Sequence, residues 1–341
     1  MANAHSFPLL RLPNLAREQV IKLMHVSDQY LLSKISKKSM KITKTSISCV
    51  PYTLTVTFKY PRCHLEIKKT ESEETLKIPI KPLCSLTKQL ESSHGLFNFS
   101  TSNFQFYGVS HKTIQKVMES VRSLNMEIYE LLVDSKGVVD NEMFGYIMDN
   151  FRDVKKLENR CKANPNFLWN PQQPYTFDHC LLVSSQWLTV DNLTRMFKDC
   201  RYFTTMDFPH LLRFNEDFNQ LMKWWINDST MEYISVGVNF LELPDAMEGI
   251  EKESVKSAFI DNVFHEFSEE YGFKIRQKCG REAIVCMVEY VQWYKFILAT
   301  NFDRVNEDEF GWESDEEEDE EEMDDKKILK KRKAVMTRGK K

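Results

Sequence analysis

Tyr52, Leu54, Val56, Phe58 and Tyr60 alternate strictly with Thr53, Thr55, Thr57 and Lys59. That period of two predicts a strand with one buried face. Cys63, Leu65 and Ile67 repeat the alternation, as do Leu76, Ile78 and Ile80. Phe97, Phe99, Phe104 and Phe106 predict a further hairpin, turning around Ser100 to Asn103. Most of the gaps are too short for helical crossovers, so residues 46–110 read as an antiparallel β-meander.

On either side the period lengthens. Residues 5–45 read as a small helical unit: Leu15, Val20, Ile21, Leu23 and Met24 form an apolar face after Pro13, and Asp28 opens a second run with Tyr30, Leu31, Leu32 and Ile35. Beyond residue 111, helices are predicted over about Lys112–Ser123 and Asn141–Arg152, with a strand-like run Met126–Val133 between them. Three short apolar runs follow, starting at Cys180, Tyr202 and Met231, and their starts are 22 and 29 residues apart. That spacing suits leucine-rich-repeat units, and residues 111–302 read as a degenerate array of strand-helix repeats. Thr189 and Asn215 are predicted N-caps, and Phe218, Leu221, Met222 and Trp225 lie at i, i+3, i+4 and i+7 on one helical stripe. An amphipathic run carries Phe259, Val263, Phe264 and Phe267, and a hairpin is predicted about Cys279-Gly280. The fold class expected is α+β.

Composition narrows the class. With 341 residues and 42% hydrophobic content, the chain can bury a sizeable core. Neither a signal peptide nor a membrane span is expected, because the apolar stretch Ala283–Ala299 is interrupted by Glu289, Gln292 and Lys295. Eight scattered cysteines without a CxxC pair suit reduced thiols in an intracellular, cytoplasmic or nuclear protein.

The net charge of −4 conceals a split chain. From Glu313 to Asp325, 11 of 13 residues are acidic, and from Lys326 to Lys341, 9 of 16 are basic. Residues 303–341 are expected to be a disordered tail, too charged to offset its ordering entropy by burial. The rest is nearly neutral, which makes nucleic acid an unexpected partner. Residues 1–45 depart from that balance with eight basic residues against two acidic ones, so a partner there would be acidic.

Catalytic chemistry finds little support. Only 10 glycines occur, under half the usual share of about 7%, and neither a GxxxxGK[ST] loop nor a GxGxxG fingerprint is present. His64 beside Cys63 and His179 beside Cys180 lack a second pair at ligand spacing, and strand neighbours point to opposite faces. The expectation is a non-catalytic protein with no cofactor, metal or small-molecule ligand.

The segment Phe7-Pro8-Leu9-Leu10-Arg11-Leu12-Pro13 is apolar and carries two prolines close to a chain end, where polar residues are usual. With Leu15, Val20, Ile21 and Met24, and then Asp28, Leu31, Leu32, Ile35 and Ser36, it resembles an F-box; Ala16-Arg17-Glu18 stands where that family usually has a second Pro-Glu pair. The segments Leu188–Leu193, Asn215–Ile226 with Met231–Ile234, and Gly272–Ile284 resemble the type 2 F-box-associated domain of nematode F-box proteins. That resemblance divides the chain into an F-box at 5–45, an associated domain at 46–302 and the tail.

The resemblance implies a substrate-recognition subunit of an SCF-type cullin-RING ubiquitin ligase. Phe7, Pro8, Leu9, Leu12, Pro13, Leu15, Ile21, Leu31 and Leu32 would contact a Skp-type adaptor and through it a cullin, while the C-terminal domain binds a protein target. The alternative is a nuclear protein-binding module that works through its acidic and basic tail.

Overall fold

The computed structural model describes residues 9–80, 86–135, 137–164, 167–169, 173–206, 215–238, 241–267, 270–290 and 293–304. Phe7, Pro8, Cys84 and the predicted tail beyond residue 304 lie outside the described residues. Up to Asp303 the described residues belong to one compact unit of mixed helix and strand.

After a 3-10 turn at Leu9–Arg11, three helices follow: α1 Asn14–Leu23, α2 Val26–Ile35 and α3 Lys37–Ile47. Pro13 sits immediately before α1, where its fixed φ starts the helix at no hydrogen-bonding cost. Between α2 and α3 the chain is held by a reciprocal cap. Ser36 Oγ accepts from the Ser39 N–H at 3.1 Å, and Ser39 Oγ accepts from the Ser36 N–H at 2.9 Å.

The strands β1 Pro51–Lys59, β2 His64–Lys69 and β3 Thr75–Pro79 form the predicted antiparallel meander. Beyond them the expectation fails. The phenylalanine-rich stretch is one strand, β4 Asn98–Tyr107, lying parallel to β1 on the side away from β2. The crossover is a helix missed in the sequence, α4 Leu86–Leu96, whose buried stripe is Leu86, Leu90, Ser93 and Leu96. Ser100–Asn103 is therefore strand interior. The register shifts there, Tyr52 facing Phe99 and Thr53 facing Thr101, so Ser100 is the extra residue of a bulge. That bulge explains why the buried phenylalanines are even-numbered only beyond it.

From β4 onward, strands alternate with helices except between β6 and β7: α5 His111–Ser123, β5 Glu130–Asp134, α6 Asn141–Asn150, β6 Lys156–Asn159, β7 His179–Leu182, α7 Val190–Met196, β8 Tyr202–Thr205, α8 Asn215–Asp228 and β9 Tyr233–Val238. Each strand from β4 to β9 is parallel to the next. Strand side chains on one face meet the helices, as the cores of α5 and α8 illustrate: Ile114, Val117, Met118 and Val121 on one, Phe218, Leu221, Met222 and Trp225 on the other, are all buried. The predicted stripe on α8 and the Thr189 cap of α7 are both present, Thr189 Oγ1 accepting from the Asn192 N–H at 3.1 Å.

A short helix, α9 Leu243–Ala246, leads into β10 Glu253–Ser254, β11 Ser257–Ile260, β12 Val263–Glu266, β13 Gly272–Arg276, β14 Glu282–Tyr290, β15 Trp293–Ala299 and β16 Phe302–Arg304. Strands β15, β14, β13 and β10 continue the main sheet antiparallel, completing 13 strands among the described residues in the order β10-β13-β14-β15-β9-β8-β7-β6-β5-β4-β1-β2-β3. The β13–β14 turn contains Gly280 at φ +93°, as the Cys279-Gly280 hairpin requires. The amphipathic run around Phe259 is a second hairpin, turned by Asp261 and Asn262 at positive φ. Its strands join β16 in a three-stranded sheet, β12-β11-β16. Ala258, Ile260 and Phe267 pack there on Ile284, Cys286, Ile297 and Ala299 of the main sheet.

Candidate protein-docking surface

The helices α1 to α3 are anchored from below. Ile21, Val26 and Ile47 are fully buried and belong to the same hydrophobic core as Tyr52 and Leu54 of β1. Residue 45 is thus not a break in the core. Gln29, polar yet fully buried, joins three elements: its Nε2 donates to the carbonyls of Ile21 at 2.9 Å and Met24 at 3.1 Å, while its Oε1 accepts from the Tyr52 hydroxyl at 2.8 Å. Burial pushes the Tyr52 hydroxyl up to about 12, against a smaller opposing effect of the Gln29 bond.

The outer side is apolar where water would ordinarily select polar groups. Leu15 is 77% exposed, Leu23 81%, Leu31 63% and Ile35 74%, and Leu10 and Met40 are also exposed. Leu31 and Ile35 stand one turn apart on α2, on the same face. Lys37, Lys38, Lys41 and Lys44 are exposed along α3, a helix without an acidic residue, and among the described residues none of the four has an ion-pair partner. Lys34 is held differently, its Nζ hydrogen-bonded to Ser92 Oγ and lying 4.8 Å from the centre of the Tyr30 ring. Lys22 pairs with Glu18 at 2.7 Å.

The residues expected to meet an adaptor divide accordingly. Leu15 and Leu31 are exposed, as is Pro13, while Leu9, Leu12 and Leu32 are half-buried, Leu9 and Leu32 packing on the core. Ile21 is placed inside, where it supports the helices and has no surface to offer a partner. Sequence reasoning left out Leu23 and the role of Gln29. Ile21 and Leu23 both flank Lys22, so nothing local in the sequence marks Leu23 as the exposed one of the two, and a lone glutamine carries no periodicity from which its burial could be read.

A second surface lies on the main sheet. His179 of β7 stacks on its cross-strand neighbour Tyr202 of β8, ring centres 4.3 Å apart and planes within 3°. Tyr202 is followed by Tyr233 of β9 at 6.4 Å. The Tyr202 hydroxyl donates to Glu232 at 2.9 Å, and Arg201 grips the same carboxylate at 2.8 and 2.9 Å. The Arg201 bond holds Glu232 below the usual carboxylate range, and burial followed by the Lys156 charge lowers His179. Cys180 is buried and Cys63 half-buried, and among the described residues no group of three or more His, Cys, Asp or Glu side chains is placed to hold a metal. Nor, among the described residues, is any helix long and apolar enough to cross a membrane.

Compared with protein-family models, curated proteins and solved structures, the chain matches none.

Proposed function

We propose that this chain is a substrate-recognition subunit of an SCF-type ubiquitin ligase, its N-terminal helices binding a Skp-type adaptor and its sheet domain holding a protein target. The observation that carries the reading is the exposure of Leu15, Leu23, Leu31 and Ile35 on helices whose opposite sides are locked into the core. Exposed aliphatic side chains at this density mark a surface that a partner covers. The lysines of α3, outside any ion pair among the described residues, adjoin it in the chain and favour a partner with an acidic rim.

The F-box resemblance of residues 7–36 supplies the adaptor's identity. The succession of parallel strands starting at residues 130, 156, 179, 202 and 233, with helices between most of them, supports reading the rest as a degenerate leucine-rich-repeat-like array. Such a subunit performs no chemistry. It raises the effective concentration of target lysines at a charged E2, turning a bimolecular transfer into one within a single assembly.

Co-purification decides the matter. The full chain should capture a Skp-type adaptor, and replacing Leu12 and Pro13 together should abolish capture. Failure to bind, or capture that survives the double replacement, overturns the assignment.

A further inference from the structure

Where α4, α5 and α6 end beside the first residues of β4, the described residues line a half-open cavity of about 620 Å³. Sites that take small ligands or partner side chains span roughly 300–1,000 Å³. Its floor is formed by buried Met118, Val121, Met126 and Phe151, and its wall by half-buried Phe99 and Ile128. Two thioethers and two phenyl rings make the floor and wall soft and polarisable, which suits an aromatic ring, while Ser100, Thr101, Ser102 and Asn125 add polar groups to the lining.

The rim has a different character. Arg122, Glu127, Asp153 and Lys155 surround the mouth, all exposed, and among the described residues none of the four stands in an ion pair. Arg122 is steadied by a hydrogen bond from its Nη2 to Asn150 Oδ1 at 3.2 Å. Two cations and two carboxylates outside any ion pair among the described residues complement a peptide that carries both signs of charge, and give no preference for a strongly anionic one.

At one side the mouth opens onto the sheet. Tyr129 lines it and carries the Lys156 ammonium 5.7 Å from its ring centre. Lys156 faces His179 across the strands, and His179 stacks on Tyr202. A peptide leaving the cavity in this direction meets an aromatic and hydrogen-bonding surface.

We infer that this cavity receives an aromatic side chain of the target polypeptide, with charged residues of both signs beside it in the peptide pairing with the rim. The inference rests on the target-recruiting role proposed above and adds the chemistry of the anchor. Aromatic side chains that fill pockets at the centre of an interface carry a large share of binding energy, so the residue entering this cavity should be the anchor of the peptide.

The test uses the full chain alone, so its outcome is independent of adaptor capture. Selection against a random peptide library should enrich sequences with Phe, Tyr or Trp at one position between charged residues. Replacing that residue by alanine should weaken binding tenfold or more. Ser100→Trp, introduced from an exposed position at the mouth, and Ile128→Asp on the wall should each weaken the same peptides tenfold or more, with melting temperatures verifying that both variants fold. Leu31→Glu, on α2, should leave peptide affinity unchanged. The inference is overturned if no peptide is enriched, if the enriched peptides lack an aromatic residue, or if their affinity is indifferent to both cavity variants.

Discussion

The Tyr52 hydroxyl donates a 2.8 Å hydrogen bond to Gln29 Oε1, and through it strand β1 is tied to the junction of α1 and α2. The Gln29 side chain has both ends engaged inside the core, which is what makes its burial tolerable. Removing it would strand the Met24 carbonyl and the Tyr52 hydroxyl, and would leave the Ile21 carbonyl with only the Met24 N–H at 3.2 Å. Gln29→Leu is expected to destabilise the protein by about 2–4 kcal/mol, since each orphaned buried group costs about 1–3 kcal/mol and some of them recover water. Chemical denaturation of the variant checks this; an unchanged midpoint would show the bonds to be dispensable.

The same bond bears on alkaline stability. A tyrosine in the unfolded chain ionises near pH 10, whereas burial holds Tyr52 neutral up to about 12. Between those values the unfolded state binds fewer protons than the folded one, so stability falls as pH rises from about 10 and levels off above about 12. Cys161 and Cys200, pushed by burial up to about 12 from near 9, act in the same direction from a lower pH. Tyr52→Phe should be less stable at neutral pH, because Gln29 loses its donor, yet should lose less between pH 10 and 12 than the parent. Urea midpoints across that range measure both effects, and parallel curves would contradict the linkage.

Backbone approach sets another expectation. A Cβ placed on Gly272 would lie 2.5 Å from the Val255 carbonyl oxygen and 2.6 Å from the Phe267 ring. The Val255 N–H is itself bonded to the Gly272 carbonyl at 3.0 Å, so neither chain can withdraw without breaking the junction of the two sheets. At Gly145 the obstacle is the Trp169 ring at 2.8 Å, part of a side chain. Gly272→Ala should therefore cost about 1–3 kcal/mol, and Gly145→Ala less, the Trp169 ring being free to tilt. Thermal unfolding of the pair orders them.

The elements most legible in the sequence were those whose burial is periodic. Strict alternation marked β1 and β2, and the stripe Phe218–Trp225 marked α8, because in each a single face meets the core. Helix α4 escaped notice since Ser93 occupies a core position and Ser92, His94 and Gly95 weaken its propensity. The parallel placement of β4 was hidden by the bulge at Ser100, which breaks the alternation and resembles a turn in a polar run. Strand β6 has four residues, too few to carry a period. At the candidate docking surface, apolar character was readable but orientation was not: Ile21 and Leu23 are two residues apart on α1, one fully buried and the other 81% exposed. Only the position of the sheet beneath the helices separates them.

That separation supplies the sharpest test of the docking surface. Leu15→Glu and Leu31→Glu place charge where the side chains already face water, so stability should change by no more than about 0.5 kcal/mol. If these residues are anchors in an adaptor interface, the double variant should lose capture at least tenfold, as truncation of a central contact at an interface costs about 2 kcal/mol or more. Ile21→Ala should do the reverse. Emptying its fully buried site costs about 2–5 kcal/mol of folding stability, while the folded fraction keeps its exposed leucines and hence its affinity. Measuring melting temperature and adaptor affinity on the same samples separates the two behaviours. Equal losses of stability in all three variants would mean that Leu15 and Leu31 pack within the chain, and the docking surface would have to be sought elsewhere.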